Sequence, residues 1–394
     1  MDAKLDAVIE KVYANVHLEE GIGCIKHFLK EVYLSEGISV KELANALSLP
    51  VPVASAVKGE LKKNGLVLAQ AGIRLTDAGR AYVEENLGYG GVDIDAFRHI
   101  MEEPLDSLLT EFGEELETLT RIYEGRPEVD VTLDQSKCTA ETGIRRGIFL
   151  LRSKSLIGRR FLFLGDDDLT SVAAALVLRH IVKPGRRPDM SRMTVFDVDG
   201  RILSYIGGLS EELGADIRCV SHDLRLPLPE SERACYDGAA TDPPYTTDGL
   251  RLFLSRGISA LKRESDLPFY LSFAHKGPLV QLDMQRLFVD SGMVVSEIYP
   301  KFNRYDGAQM IGGVSDLTVL RTTGKTAPVL TEEYRDKIYT GEFRASVRTY
   351  QCRACREKIR VGMKEGIKTV EALKAAGCPK CGEKKFDLYK KDTI

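Results

Sequence analysis

The sequence predicts an α/β fold: a doubly wound, Rossmann-like parallel sheet, with a winged-helix-like domain before it and a small zinc-ribbon-like tail after it. Three observations lead there. Between Arg160 and Phe273, short buried-strand patterns alternate with helical patterns of roughly a dozen residues. Residues 1–88 read as a helix-turn-helix followed by a hairpin. The last 45 residues carry two Cys-x-x-Cys pairs.

The chain has 394 residues, which is too long for one ordinary domain. The pattern divides it into residues 1–88, a helical linker over 89–130, a Rossmann-like domain over 131–345 and the tail over 346–394. Hydrophobic residues make up 43% and charged residues 29%, a soluble globular mix. Lys and Arg number 55 against 58 Asp and Glu, a net charge of −3. That near balance argues against a nucleic-acid coat or a polybasic membrane binder. No apolar run is long enough to span a bilayer; Val172–Leu178 is among the longest. The opening MDAKLDAVIE interrupts its apolar positions with charge and is no signal peptide, so a cytoplasmic location is expected.

At the start, Ser39-Val-Lys-Glu42 has the form of a capping box, with Ser39 and Glu42 each satisfying an orphan donor. A helix over 40–47 leads to a turn at Ser48-Leu-Pro. A second helix runs from Pro52 to Lys63 and stops at Asn64-Gly65. Strands follow at Leu66–Ala69 and Ile73–Leu75, then a helix over 76–86. Residues 1–88 hold 10 basic and 12 acidic residues, and the second helix opens with Val51, Pro52 and Val53 instead of base-reading side chains. A docking or dimerisation role therefore outweighs DNA binding, and a homodimer is expected.

In the alternating region the strands fall at Arg160–Leu164, Thr194–Asp197, Asp216–Val220, the run up to Thr241, and Phe269–Phe273. Helices fall at 169–180, 202–213 and 250–263. Ligands in such sheets bind beyond the carboxyl ends of the strands, at the switch point, so those loops are the ones to examine. After the first strand comes Gly165-Asp166-Asp167-Asp168. One glycine and three acids are unsuited to a phosphate and suited to a cation. Asp168 is expected to cap the following helix, while Asp166 and Asp167 exceed what capping needs. After the second strand, Asp197 is placed to meet a ribose hydroxyl pair, and Asp199 equally suits a helix N-cap. After the third, Asp223 can accept from an adenine amino group, whereas His222 reads as an ordinary loop histidine. After the fourth comes Asp242-Pro243-Pro244-Tyr245. Two prolines stiffen the loop, and a rigid acid beside an aromatic ring suits a cationic amine. Asp166 and Asp242 end the strands that flank the switch point and are expected to face one cleft.

The Gly165-Asp-Asp-Asp168-Leu-Thr-Ser171 loop together with Asp242-Pro-Pro-Tyr-Thr246 resembles the archaeal and thermophile branched-chain polyamine synthase family, the N4-bis(aminopropyl)spermidine synthases. The resemblance covers roughly residues 20–345. It implies a class I methyltransferase-like fold and aminopropyl transfer from decarboxylated S-adenosylmethionine to the central secondary amine of spermidine, twice, releasing methylthioadenosine. It also implies that Asp166 orients and deprotonates the amine, that Asp167 and Asp168 bind the polyamine's ammonium ends, and that Asp242 and Tyr245 line the reacting nitrogen. Gly165, Asp197, Asp199 and Asp223 would hold the donor, with Gln135 helping to close its pocket. The alternative is a methyltransferase acting on nucleic-acid amino groups, which also use an Asp-Pro-Pro-Tyr string; the triple Asp and the missing glycine-rich loop weigh against it. A non-enzymatic transcription regulator is disfavoured by the acidic start.

The tail departs from the family's catalytic core. Cys352, Cys355, Cys378 and Cys381 have tetrahedral zinc spacing, and four thiolates imply a closed, structural site. The other four cysteines are scattered and read as small buried residues in a reducing compartment. Residues 352–394 hold 12 basic and 6 acidic residues, so residues 1–351 carry a net charge of −9. Nucleic-acid contact through this tail is conceivable on charge but not favoured.

Overall fold

The computed structural model describes residues 3–183, 191–306, 313–340, 346–362, 365–367 and 369–393. The chain divides into two compact units. One comprises Met1–Glu128, Lys137–Pro243 and Arg251–Tyr334; the other comprises Val129–Ser136, Pro244–Leu250 and Arg335–Ile394.

The first unit opens with α1 (Ala3–Val16), α2 (Ile22–Leu34), α3 (Val40–Ala46) and α4 (Val51–Lys63). The capping box forms as the sequence predicts: Glu42 N donates to Ser39 Oγ at 3.2 Å and Ser39 N to Glu42 Oε2 at 3.0 Å. After α4, Gly65 takes φ +73°, a left-handed turn that ends the helix. β1 (Val67–Ala69) and β2 (Ile73–Leu75) pair antiparallel, and Ile38 bridges to Ile73, completing a small wing. The helix expected over 76–86 starts as α5 (Asp77–Ala81) and continues as a π turn over Tyr82–Asn86.

Residues 89–130 form α6 (Ile94–Glu102), α7 (Leu105–Glu111) and α8 (Gly113–Glu124). They bury Phe97, Ile100, Leu108, Phe112 and Leu119 and leave Glu114 and Glu117 exposed. One continuous core includes Phe28 and Leu61 of the helical start, Phe112 of this stretch and Phe161 and Val195 of the sheet. The acidic content thus marks an outer face.

The sheet has eight strands in the order β3-β9-β10-β8-β7-β4-β5-β6. Its parallel part is β4 (Arg160–Leu164), β5 (Arg192–Asp197), β6 (Ile217–Ser221), β7 (Gly238–Thr241) and β8 (Pro268–Phe273). β9 (Met293–Asp306), β10 (Val314–Thr322) and the short β3 (Lys137–Cys138) extend it antiparallel. The helices between are α9 (Ala140–Arg152), α10 (Thr170–His180), α11 (Gly200–Leu213), α12 (Thr247–Ala260) and α13 (Pro278–Asp290). β4 and β5 alternate little and are buried on both faces, as a covered parallel sheet requires. From β4 the order runs one way to β5 and β6 and the other way to β7 and β8, so the switch point lies beyond the ends of β4 and β7.

In the second unit, β11 (Ser346–Cys352) lies between β12 (Lys358–Val361) and β13 (Phe386–Thr393), with α14 (Val370–Ala376) alongside in sequence. Its small core comprises Tyr350, Cys352, Ile359, Val361, Leu373 and Cys378. Thr246 Oγ1 donates to Ile338 O at 2.6 Å, and Thr340 N to Asp134 Oδ2 at 2.6 Å. These bonds tie the unit's three chain segments together. Among the described residues no helix is long and apolar enough to cross a membrane.

Close packing of α12 on the sheet depends on Gly257, where a Cβ would lie 2.1 Å from Phe269 Cε2 and 3.0 Å from Leu164 Cδ1. Gly257→Ala should therefore destabilise the fold by about 1–3 kcal/mol through overpacking, read as a lower midpoint in denaturant unfolding.

Candidate functional site

β4 delivers Gly165 to the switch point with φ +68°, and Gly165 N donates to Phe196 O of β5 at 2.8 Å. The next three acids then turn in different directions. Asp166 Oδ1 accepts from Thr170 N at 2.7 Å and Oδ2 from Ser171 N at 3.0 Å. The sequence expectation that Asp168 caps α10 is thereby corrected: Asp166 caps it. Leu169, at φ +54°, is a buried non-glycine residue in the left-handed region. That conformation costs of order 1 kcal/mol and swings the helix start back toward Asp166. Tyr123 Oη donates to Asp168 O at 2.5 Å and pins the same turn.

Asp168 looks away from the helix. Its Oδ1 accepts from Cys138 N at 2.7 Å, and its Oδ2 from Arg146 Nη1 at 2.9 Å. Arg126 Nη1 lies 3.9 Å from Oδ1. Arg146 also reaches the fourth loop, where Nη2 donates to Asp242 Oδ2 at 2.8 Å. Around it, Nε donates to Asn303 Oδ1 at 2.7 Å, Nη1 to Thr170 Oγ1 at 3.2 Å and Nη2 to Tyr305 Oη at 2.9 Å. Tyr305 Oη donates to Asp242 Oδ2 at 2.5 Å. Asn303 Nδ2 donates to Ser272 Oγ and Ser315 Oγ. A buried guanidinium thus joins the two acidic loops. Sequence reasoning missed it, yet a signal existed. Arg146 sits between Thr142 and Leu150 on the buried stripe of α9, at i±4 spacing, where an isolated cation needs a partner. Asn303, Tyr305 and Ser315 lie on antiparallel strands past the alternating pattern and gave none.

Asp166, Asp167, Asp168 and Asp242 line one cavity, about 30 Å³ in volume, walled by Phe149, Phe163, Tyr270 and Leu317. The structure therefore brings the two acidic loops together as expected. Burial pushes the Asp166 carboxyl up to about 7 against the pull of its two amides. Burial, then the charges of Asp168 and Asp197, holds Asp167 well above the usual carboxylate range. For Arg146, burial disfavours the charge, but Tyr305, Asp168 and Asp242 outweigh it and raise its pKa well above the ordinary value.

Asp197 is buried and joins two loops: Oδ2 accepts from Asp166 N at 3.0 Å and Oδ1 from Asp199 N at 2.8 Å. Asp199 is the N-cap of α11, accepting from Arg201 N at 3.0 Å, and pairs with the Arg201 guanidinium. Asp223 accepts from Arg225 N at 3.0 Å and pairs with the Arg225 side chain; burial opposes its charge, and Arg225 wins, holding the carboxyl low. Tyr245 and Gln135 belong to the second unit, where Gln135 Oε1 accepts from Asp130 N at 2.7 Å.

The four tail cysteines also converge in the second unit. Their Sγ atoms all lie within 4.8 Å of one another, with Cys352 to Cys381 and Cys355 to Cys378 at 3.6 Å. Tetrahedral ligation at about 2.3 Å requires sulfurs about 3.8 Å apart, so the donor set fits one metal ion.

Comparison with known proteins decides the family. Residues 114–373 match the family described as the branched-chain polyamine synthase A C-terminal domain. The chain belongs to the branched-chain polyamine synthase family. An uncharacterized protein of Methanocaldococcus jannaschii is 33% identical over 393 residues, covering 99% of this chain and 95% of that relative. The N(4)-bis(aminopropyl)spermidine synthase of the same organism is 29% identical over 305 residues, covering 76% and 83%. That of Thermococcus kodakarensis is 31% identical over 260 residues, covering 65% and 70%. In fold, this polyamine synthase family member is similar to the Thermus thermophilus branched-chain polyamine synthase, solved with N4-aminopropylspermidine and 5'-methylthioadenosine. The TM-score is 0.50 at 21% identity, over 84% of this chain and 96% of that one.

The raised Asp166 carboxyl has a thermodynamic consequence. A folded pKa above the unfolded one favours the protonated state, so stability is lost as pH rises from about 4 through about 7. Asp166→Asn removes that loss. The stability of the variant relative to the parent should rise between pH 5 and pH 8, as measured by urea unfolding at both pH values.

Proposed function

We propose that this family member transfers aminopropyl groups from decarboxylated S-adenosylmethionine to a secondary amine of a polyamine, with spermidine as the first acceptor and methylthioadenosine as the product. The observation that carries the reading is the convergence of Asp166, Asp167, Asp168 and Asp242 on one cavity at the switch point, in a chain of this family. Both substrates are cationic where they react, and an acidic pocket complements them.

The chemistry is an in-line displacement. The amine nitrogen bonds to the aminopropyl carbon next to the sulfonium, the C–S bond breaks, and its electron pair leaves with a neutral thioether. The alkylated amine loses one proton. Asp166, with its carboxyl near 7, is matched to receive that proton at neutral pH. Asp167 meets an ammonium end of the acceptor. Asp168 and Asp242 fix the geometry around Arg146. Asp197, Asp199 and Asp223, at the ends of β5 and β6, stand on the side of the switch point where the donor's ribose and adenine belong, with Gly165 allowing close approach. Gln135 acts on its own loop, Val129–Ser136. Because M. jannaschii holds both the full-length relative and a separately named synthase, the acceptor panel should include N4-aminopropylspermidine and spermine beside spermidine.

The test is mass spectrometry of polyamines after incubation with the decarboxylated donor. The aminopropylated product should form with the parent protein, and Asp166→Ala should lower turnover about 100-fold or more with the fold retained. No product from any acceptor, or methyl transfer from intact S-adenosylmethionine, overturns the reading.

Cys352, Cys355, Cys378 and Cys381 would hold a structural zinc ion, which cross-links the β11–β13 sheet and leaves no position open for catalysis. Metal analysis should give one zinc per chain. Cys378→Ser should lose the metal and make the tail more sensitive to protease, leaving residues 1–334 folded.

A further inference from the structure

Arg146 is the cation already resident in a site whose sequence advertises only acids. Its side chain is 7% exposed, and it makes contacts within 3.2 Å to Asp168, Asp242, Thr170, Asn303 and Tyr305. Those partners come from three separate places in the fold: the loop after β4 with the start of α10, the loop after β7, and the last residues of β9. Asn303 and Tyr305 are themselves fixed by Ser272 and Ser315. Such a convergence is more than a stability device needs, since an all-apolar cluster of similar volume would pack beside Phe163 and Leu317 without any desolvation cost.

We propose that Arg146 is a positioning residue for polyamine alkylation: it sets the spacing and the net charge between the Asp166–Asp168 loop and Asp242. Its fork on Asp168 Oδ2 and Asp242 Oδ2 holds the two carboxylates side by side in fixed orientations. Four acids around a cavity of about 30 Å³ repel one another, and the guanidinium offsets part of that repulsion. One internal cation lowers the net negative charge of the two loops by one, so a polyamine is held firmly enough to react and weakly enough to leave. The charged and titratable groups that face the guanidinium are Asp168, Asp242, Tyr305 and Cys138; Asp166, Asp167 and Arg126 stand behind them.

The inference rests on the aminopropyltransferase reading, and the experiment separates the two. Spermidine binding to the full-length parent is measured first by calorimetry between pH 6 and pH 9, which needs no turnover. Then kcat and KM for donor and acceptor are measured over the same range for the parent, Arg146→Lys and Arg146→Ala, the last with and without guanidinium chloride. Arg146→Ala should lower kcat roughly 100-fold, the scale expected when reacting groups are misplaced by about an ångström, with donor KM changed less than about threefold. Its acid limb should move to higher pH, because the acidic cluster around the cavity loses a buried positive charge. Free guanidinium should recover part of kcat. Arg146→Lys should bind spermidine yet turn over slowly, since one ammonium cannot span both carboxylates.

An unshifted acid limb with no rescue by guanidinium overturns the inference and leaves Arg146 a scaffold residue. Parental kcat in folded Arg146→Lys and Arg146→Ala also overturns it. Should Arg146→Ala not fold, Arg146→Lys alone decides, through its acid limb and its kcat-to-KM split. A parent that binds spermidine but makes no product removes the function reading, and the calorimetric pH dependence of the Arg146 variants still tests the charge role.

Discussion

A guanidinium removed from water is costly, and it survives in a core only if every neighbour compensates it. Arg146 meets that demand with two carboxylates, an amide oxygen and two hydroxyls. The rest of the site follows from this arrangement. Asp168 turns inward to reach it, so Asp168 cannot cap α10. Asp166 takes over the cap and thereby brings its own carboxyl to the floor of the cavity. Asp242, at the end of β7, is drawn toward the same point, and this joins the two halves of the sheet at the switch point.

The helix cap and the raised carboxyl are therefore one residue. Asp166 binds two amides at the start of α10, which favours its ionised form, yet burial prevails and leaves the group near neutrality. A group balanced in that way can accept a proton and return it at working pH. The left-handed turn at Leu169 makes this possible, because it lets the chain reverse between Asp168 and Thr170. Backbone strain, capping and a carboxyl raised to near neutrality are thus concentrated within five residues.

Charge is divided with equal economy. Asp166, Asp167, Asp168 and Asp242 converge on one cavity, while the basic tail carries four cysteines whose sulfurs fit a single ion. A net charge of −3 conceals both. The helical start lies in the same compact unit as the sheet, with Phe28 and Leu61 in its core, so it reads as part of the body and less as a tethered module.

The sequence by itself determined the elements whose signals are local. The capping box at Ser39, the strand at Arg160–Leu164, the four-cysteine clip and the two acidic loops all follow from residue type and spacing, because hydrogen-bond donors, strand burial and thiolate chemistry act over a few positions. Strand alternation even implied that Asp166 and Asp242 would share a cleft. Only the tertiary structure decided which aspartate caps the helix, and that Arg146, Asn303 and Tyr305 stand among the acids. Arg146 is separated from Tyr305 by 159 positions, and nothing local in either segment encodes their meeting. A buried charge is satisfied by whatever the fold carries to it, and that is set by the packing of α9 against a sheet whose last strands return antiparallel.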